Sequence, residues 1–434
     1  MSRELNSSEV LSLKFLTAFA TIATIGVWVN LLFYSWFAGP LRWSYPNDTF
    51  LAIQVSRFSD FYDMVYLNRD LDPYNTRHLP APPPPHYSAT PYPPLTNVFF
   101  HVLSKFDIDY GGTSTDGPSK AQDGALWVFL GFPFLAFPLI TYFWLRTSTP
   151  WLTILLVTVA FNLSYPMLIA IDRGNLELYS FICLTIFAWL ANSDSTIGRF
   201  IAIVAVAVAG ALKIYPLVFI LIFLKRRQYS AAVGAIGICG LLTLLSYAVF
   251  KGTVAENISA NYRLIRELSA MTSAQIVWAT RFSSSLFSLV FLSLKGLFHN
   301  ERAASWFAIH YDGFLKAFSS VSLLFIALRR LSFARLFTAV SCLAILGTSE
   351  SPDYKLLLLL PATIAIIVEG GGQRTFNLLF VAIVGLLLVP KNWVMIFDEV
   401  SYGSIADPLL VLSLFALVLA APTGKGVQSE ALEH

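Results

Sequence analysis

Long apolar runs separated by short polar joints make up nearly the whole chain. They fall at about residues 11–37, 92–106, 124–145, 149–170, 175–192, 198–224, 229–250, 311–328, 334–348, 354–369, 375–390 and 405–421. A helix needs roughly 20 mostly apolar residues to cross a bilayer, so the pattern predicts about twelve membrane-spanning helices. The fold class expected is an all-α polytopic membrane protein, with one integral-membrane domain over residues 1–424. The second run is short, and several others fall below about 20 residues, which calls for tilt or a locally thinned bilayer. The tail 425–434, ending Ala431-Leu432-Glu433-His434, reads as a purification-tag remnant and is set aside.

Basic residues orient this array. Lys225, Arg226 and Arg227 follow the sixth run, and Arg329, Arg330 and Arg335 lie between the eighth and ninth. Arg374 precedes the eleventh and Lys425 follows the twelfth. Lysine and arginine collect on the cytoplasmic side, so all four groups agree with cytoplasmic N- and C-termini. The stretch 276–298, QIVWATRFSSSLFSLVFLSLKGL, is apolar too, but counting it as a span would put Arg329 and Arg330 outside. It is expected to be an amphipathic or re-entrant element in an outer loop at about 251–310. A first outer loop covers about 38–91. It holds SDFYDMVYLNRDLDPY, Ser59 to Tyr74, then PAPPPPHY, Pro80 to Tyr87. Consecutive prolines cannot continue a helix and favour an extended strap, here returning to the membrane at Tyr92-Pro93-Pro94.

Composition agrees: of 434 residues only 13% are charged, against about 25% in soluble domains. The deficit runs along the whole chain, so one signal peptide or anchor does not explain it. Net charge is +3, and no basic stripe with interleaved aromatics points to nucleic acid. Cys183, Cys239 and Cys342 each sit inside an apolar run and read as small buried hydrophobes. No Cys or His spacing suits a metal, and no cofactor is expected.

Ionisable groups in or beside membrane segments are costly and are functional candidates by default. Four places stand out. In a helix, Asp60 and Asp63 share a face at i and i+3, where a carboxylate can take a proton from a hydroxyl about 3 Å away; the competing reading is a helix-starting aspartate. Asp70 and Asp72, beside Pro73, look like turn residues. In IDRGNLELYS, Gly174 permits a tight turn and Asn175 can cap the next helix. Arg173 either pairs with Asp172 or grips a phosphate through parallel hydrogen bonds. Strict counting puts this turn on the cytoplasmic side, away from the aspartates; otherwise a neighbouring segment does not fully cross. In ALKIYPLVF, Lys213 lies deep in an apolar run before Pro216, which should kink the helix. Its partner is either an anion or a buried carboxylate such as Glu177. In SESPDYKLLLLLP, Glu350, Asp353 and Lys355 sit on the same side as Asp60, and Lys355 either holds an anionic headgroup or anchors the interface.

DFYDMVYLNRDLDPY, PYPPL, SYPMLIAIDRGNLELYSF, LKIYPLVFILIFLKRR and SPDYKLLLLLP, in this order over roughly residues 58 to 361, resemble glycosyltransferase family 87. The resemblance implies a GT-C type fold and an inverting, metal-independent transfer of a hexose, mannose first, from a polyprenyl-phosphate donor. A glycolipid or polysaccharide would accept the sugar at the outer face of a membrane, a bacterial plasma membrane by family. It implies a catalytic aspartate at Asp60 in the pattern ending at Tyr66, with Asp63 and Tyr66 as possible support. Lys355, Lys213 and Arg173 are then candidates for the donor phosphate, and Asn175, Glu177, Tyr354 and Asp353 further site candidates. Some relatives place histidines at the position of SPDYK; this chain has Tyr354 and Lys355. Besides donor and acceptor, the expected partners are membrane lipids. A transporter or lipid flippase is the rival reading, although its site would lie near the bilayer midplane; a polysaccharide polymerase is another.

Overall fold

The computed structural model describes residues 58–74, 92–106, 123–147, 149–274, 283–348, 351–369, 374–389, 395–397 and 400–421. The expected first span at 11–37, the proline strap, Glu350 and the tail lie outside these residues. Among those described, helices dominate: α1 (Ser59–Asn68), α2 (Pro94–Ser104), α3 (Asp123–Leu145), α4 (Trp151–Asn162), α5 (Tyr165–Arg173), α6 (Glu177–Leu190) and α7 (Thr196–Leu212). After a 3-10 turn, Tyr215–Phe219, come α8 (Ile220–Lys225), α9 (Tyr229–Val249), α10 (Val254–Ala274) and α11 (Leu286–Leu292). The remainder are α12 (Glu301–Leu328), α13 (Phe333–Leu346), α14 (Leu359–Val368) after a 3-10 turn at Asp353–Leu358, α15 (Arg374–Leu388) and α16 (Gly403–Ala420). A small antiparallel pair, Met395–Phe397 with Val400–Ser401, joins the last two helices and was not expected from the sequence.

Among the described residues four helices, α3, α9, α12 and α16, are each long and apolar enough to cross a membrane, and α4 with α5 makes a fifth if that pair, bent by 50°, is one span. The bend has a local cause. Pro166 in the first turn of α5 cannot donate to the turn before it, and Ser164 is extended, so the helix restarts.

Contacts at the two ends of the bundle correct the expected path of the chain. At one end Arg226 donates to Asn192 and to the Ala191 carbonyl, and Lys225 to the Ala327 carbonyl. There too the Ala334 amide donates to Glu369 (2.7 Å) and Arg335 to the Ala421 carbonyl (3.2 Å). At the other end Lys213 meets Asn175 and the Thr96 hydroxyl donates to the Leu212 carbonyl. Residues 198–224 are therefore not one kinked span. They run out along α7, reverse at Lys213, and return along the 3-10 turn and α8 to the level of Asn192. Lys213 is extended (φ −143°, ψ 133°), and Pro216 keeps the helix from resuming at once. Gly210 permits the close return, since a Cβ there would lie 2.4 Å from Leu217 Cδ2.

The expected span at 92–106 is the 11-residue α2. At 1.5 Å per residue that is roughly 16 Å, half a hydrocarbon core. It packs beside α1, with His101 on the Asn68 carbonyl (2.7 Å). In the region expected as the second outer loop, about 251–310, the long helix α10 precedes the 276–298 stretch. A reciprocal cap starts it: the Thr253 amide donates to Glu256 (2.7 Å) and the Glu256 amide to the Thr253 hydroxyl (3.3 Å). These bonds hold the exposed Glu256 carboxyl below its ordinary range. Asn261 of α10 donates to the Tyr74 and Tyr247 hydroxyls, and burial pushes the Tyr74 hydroxyl well up, keeping it protonated. The 276–298 stretch contributes α11 and a wide turn at Ser293–Leu297. The eighth span starts earlier than 311, at Glu301, where the Asn300 side chain caps the Ala303 amide.

The reversal at Lys213 predicts sidedness. Cysteines placed at Asp194 and Ser230 should react with an impermeant maleimide from the same side of a sealed vesicle; opposite-side labelling would restore a single span.

Candidate active site

The site grows from the meeting of α1 with the turn between α5 and α6. Phe61, Met64, Val65 and Leu67 of α1 are buried, and Phe61 packs on Phe100 and Phe129. This apolar face leaves Asp60 pointing the other way. The Phe58 amide donates to the Asp172 carbonyl (2.7 Å), pinning the start of α1 to the turn. Gly174 allows the approach: its φ is +61°, and a Cβ there would lie 2.6 Å from Phe61 Cβ.

Asp60 and Arg173, which strict counting of spans put on opposite sides, are in contact. The reason is the break at Ser164 together with the short α2. Arg173 Nη2 donates to Asp60 Oδ1 at 2.7 Å, and Asn175 Nδ2 donates to Asp60 Oδ2 at 2.6 Å. The Asp60 side chain is 17% exposed, enough for a small group to reach it. Carboxylate oxygens carry two lone pairs each, so each retains an acceptor site beyond these bonds.

Asn175 extends the network inward. Its Oδ1 accepts from Lys213 Nζ and from the Glu177 amide, both at 2.9 Å. Lys213 Nζ also lies 3.3 Å from Glu177 Oε2, as an ion pair outside hydrogen-bond alignment. Glu177 is fully buried and accepts from the Tyr215 hydroxyl. Lys213 lies between two rings, 5.6 Å from the centroid of Tyr92 and 5.3 Å from that of Tyr354, positions that favour a cation electrostatically. Lys355 lies 4.9 Å from the Tyr215 ring and donates to the Thr348 hydroxyl at 3.0 Å.

One continuous site thus gathers Asp60, Arg173, Asn175, Glu177, Lys213, Tyr354 and Lys355. Lys213 pairs with Glu177. Arg173 faces Asp60. Asp353 turns away, toward Tyr165 and Ser284. Asp63 stays on α1, partly exposed. Tyr66 lies under the Arg69 guanidinium, 5.2 Å from its ring centroid. Asp70 is in the turn after α1. Tyr92, Tyr215 and Thr348 were not singled out from sequence. The signal for the tyrosines was available, since each stands in a quoted motif, PYPPL and LKIYPLVF, and an aromatic ring is a natural neighbour for a lysine in an apolar run. Thr348 had no such signal.

Fold and site together define a helical membrane protein with a charged, hydroxyl-rich site at one end of its bundle. The chain belongs to glycosyltransferase family 87, whose sequence profile matches residues 90–361, and it is a glycosyltransferase. The matched span holds every site residue named above except Asp60, which reaches the site through α1. No curated protein and no solved structure matches the chain.

Gly174→Ala should leave the membrane bundle folded but displace α1 and abolish glycosyl transfer. Undiminished transfer would mean the close fit is dispensable. Removing Lys213 strands a buried carboxylate, a change that costs about 3–5 kcal/mol. Lys213→Met should therefore lower the thermal unfolding midpoint in detergent, and adding Glu177→Gln should recover much of the loss. Equal midpoints for the two variants would refute the pairing.

Proposed function

We propose that this enzyme transfers a hexose, mannose first, from a polyprenyl-phosphate donor to a hydroxyl of a glycolipid or polysaccharide, with inversion at the anomeric carbon and without a metal. Asp60 is the general base. The observation that carries this reading is Asp60 itself: a partly exposed carboxylate, fixed through both oxygens, in the same network as Lys213. Arg173 and Asn175 hold it in place before any substrate arrives, so little reorganisation is needed when it accepts a proton.

In the step proposed, a lone pair of Asp60 takes the acceptor's hydroxyl proton. The acceptor oxygen forms the new bond to the anomeric carbon while the bond from that carbon to the phosphate oxygen breaks. Polyprenyl phosphate leaves with the electron pair, and Lys355, Lys213 and Arg173 offset the charge gathering on it. The enzyme lies in a GT-C type bundle, in a bacterial plasma membrane. The end carrying Lys225, Arg226 and Arg335 faces the cytoplasm, as do both termini, and the Asp60 end faces outward. The number of spans stays at about twelve, with α7 and the return through α8 counted as two and α2 as none.

Asp60→Asn keeps size and shape but removes the base, a loss worth roughly 100- to 10,000-fold in rate. Membranes carrying it should bind donor yet fail to transfer when offered a panel of radiolabelled polyprenyl-phosphate sugars. Full transfer by the variant would remove Asp60 from the role, and no transfer by the wild-type chain from any of the panel would remove the donor class. Lys355→Ala should chiefly weaken donor use; an unchanged dependence on donor concentration would take Lys355 out of the phosphate site.

A further inference from the structure

Asp353 is fully buried and bonded through both oxygens. Tyr165, from the first turn of α5, donates to Oδ2 at 2.7 Å, and Ser284, from the outer loop, donates to Oδ1 at 2.8 Å. Ser284 is fully buried and Tyr165 nearly so. The backbone repeats the link. The Ser284 amide donates to the Ser351 carbonyl at 2.7 Å, the Ser351 amide to the Ser283 hydroxyl at 3.2 Å, and Ser283 forms an isolated bridge with Pro352. Two elements distant in sequence therefore converge on the residue that opens the 3-10 turn Asp353–Leu358. The next two residues of that turn are Tyr354, beside Lys213, and Lys355, beside Tyr215 and Thr348.

We infer that Asp353 is a positioning residue, which through Ser284 and Tyr165 locks the turn so that Tyr354 and Lys355 hold their places at the cationic side of the site. A buried carboxylate with two hydroxyl donors is expensive to leave unbonded, so the turn has one well-fixed seat. The serine run Ser283-Ser284-Ser285, in a stretch that the placement of Arg329 and Arg330 marked as an amphipathic or re-entrant element, becomes the clamp that joins the outer loop to the site. The role in transfer rests on the function proposed above; the seating of Lys355 does not.

Asp353→Asn tests it, because only one of the two hydroxyls can still donate to an oxygen there; the other must turn to accept from the amide nitrogen, and the charge that strengthened both bonds is gone. Two readouts separate the claims. In the first, Lys355, buried in the wild type, is modified in detergent with an amine-acylating reagent and followed by mass spectrometry. Asp353→Asn and Ser284→Ala should each raise its modification several-fold with Lys213 unchanged, while Ser284→Thr, which keeps the hydroxyl, should restore protection. In the second, Asp353→Asn should raise the KM for the lipid donor about tenfold or more, in line with the cost of small misplacements, and leave the KM for acceptor unchanged. That penalty should vanish in a Lys355→Ala background, since coupled residues are not additive. Wild-type modification of Lys355 in both variants would overturn the inference, and so would a donor penalty of equal size with and without Lys355. Absent transfer by the wild type would instead overturn the proposed function, and the modification experiment would still decide the role of Asp353.

Discussion

The site depends on one amide. Asn175 donates to Asp60 with its nitrogen and accepts from Lys213 and the Glu177 amide with its oxygen. No charged residue of similar size could do both. An aspartate could not donate to Asp60 while ionised, and a lysine could not accept from Lys213. The partners on each side also fix which way the amide faces, so its orientation follows from chemistry. Through Asn175 a partly exposed carboxylate on α1 is tied to a buried ion pair between α6 and the tip of α7.

That tie explains the unusual path of the backbone. Straight spans would carry Arg173 and Lys213 away from Asp60. Pro166 restarts α5 so that its last residue, Arg173, arrives beside α1, and Gly174 lets the turn press against Phe58 and Phe61. Lys213 reaches the same place because α7 stops in an extended residue and the chain turns back. Irregular backbone at membrane depth is tolerated where protein covers it or where it lines a cavity. Here the freed backbone groups have partners: the Leu212 carbonyl accepts from Thr96, and the Lys213 amide donates to the Ala209 carbonyl.

Much of the site was legible before the structure. Arg173, Asn175, Glu177, Lys213 and Lys355 are polar residues in apolar surroundings, and the cost of placing them there points to partners. Hydropathy does not say which partners, because it averages over windows longer than a reversal. The run 198–224 reads as one span since Lys213 is a single polar residue inside it, and a hairpin tip that finds all its bonds within the protein needs no wet loop. The run 92–106 reads as a span since a half-length helix buried under α1 is as apolar as a crossing one. The two misreadings change the parity in compensating ways, so the basic clusters stay together on one side in either path of the chain.

The two ends of the bundle are built on different principles, and this bears on where chemistry can occur. At the end marked by Arg226 and Arg335, arginines donate to backbone carbonyls and stack on Phe333 and Phe376. These contacts close helix ends, and the Glu369 carboxylate near both arginines balances part of their charge. At the Asp60 end, cations face carboxylates and tyrosines across gaps between separate elements: α1, the turn before α6, the tip after α7 and the turn before α14. A site assembled from four elements can hold a carboxylate and several cations close together only if each element is seated independently. The Phe58 amide on Asp172, the Thr96 hydroxyl on Leu212, and the Tyr165 and Ser284 hydroxyls on Asp353 provide those seats. Opposite charges can then stand ready near one another without the network collapsing inward, which is the preorganisation that a glycosyl transfer requires.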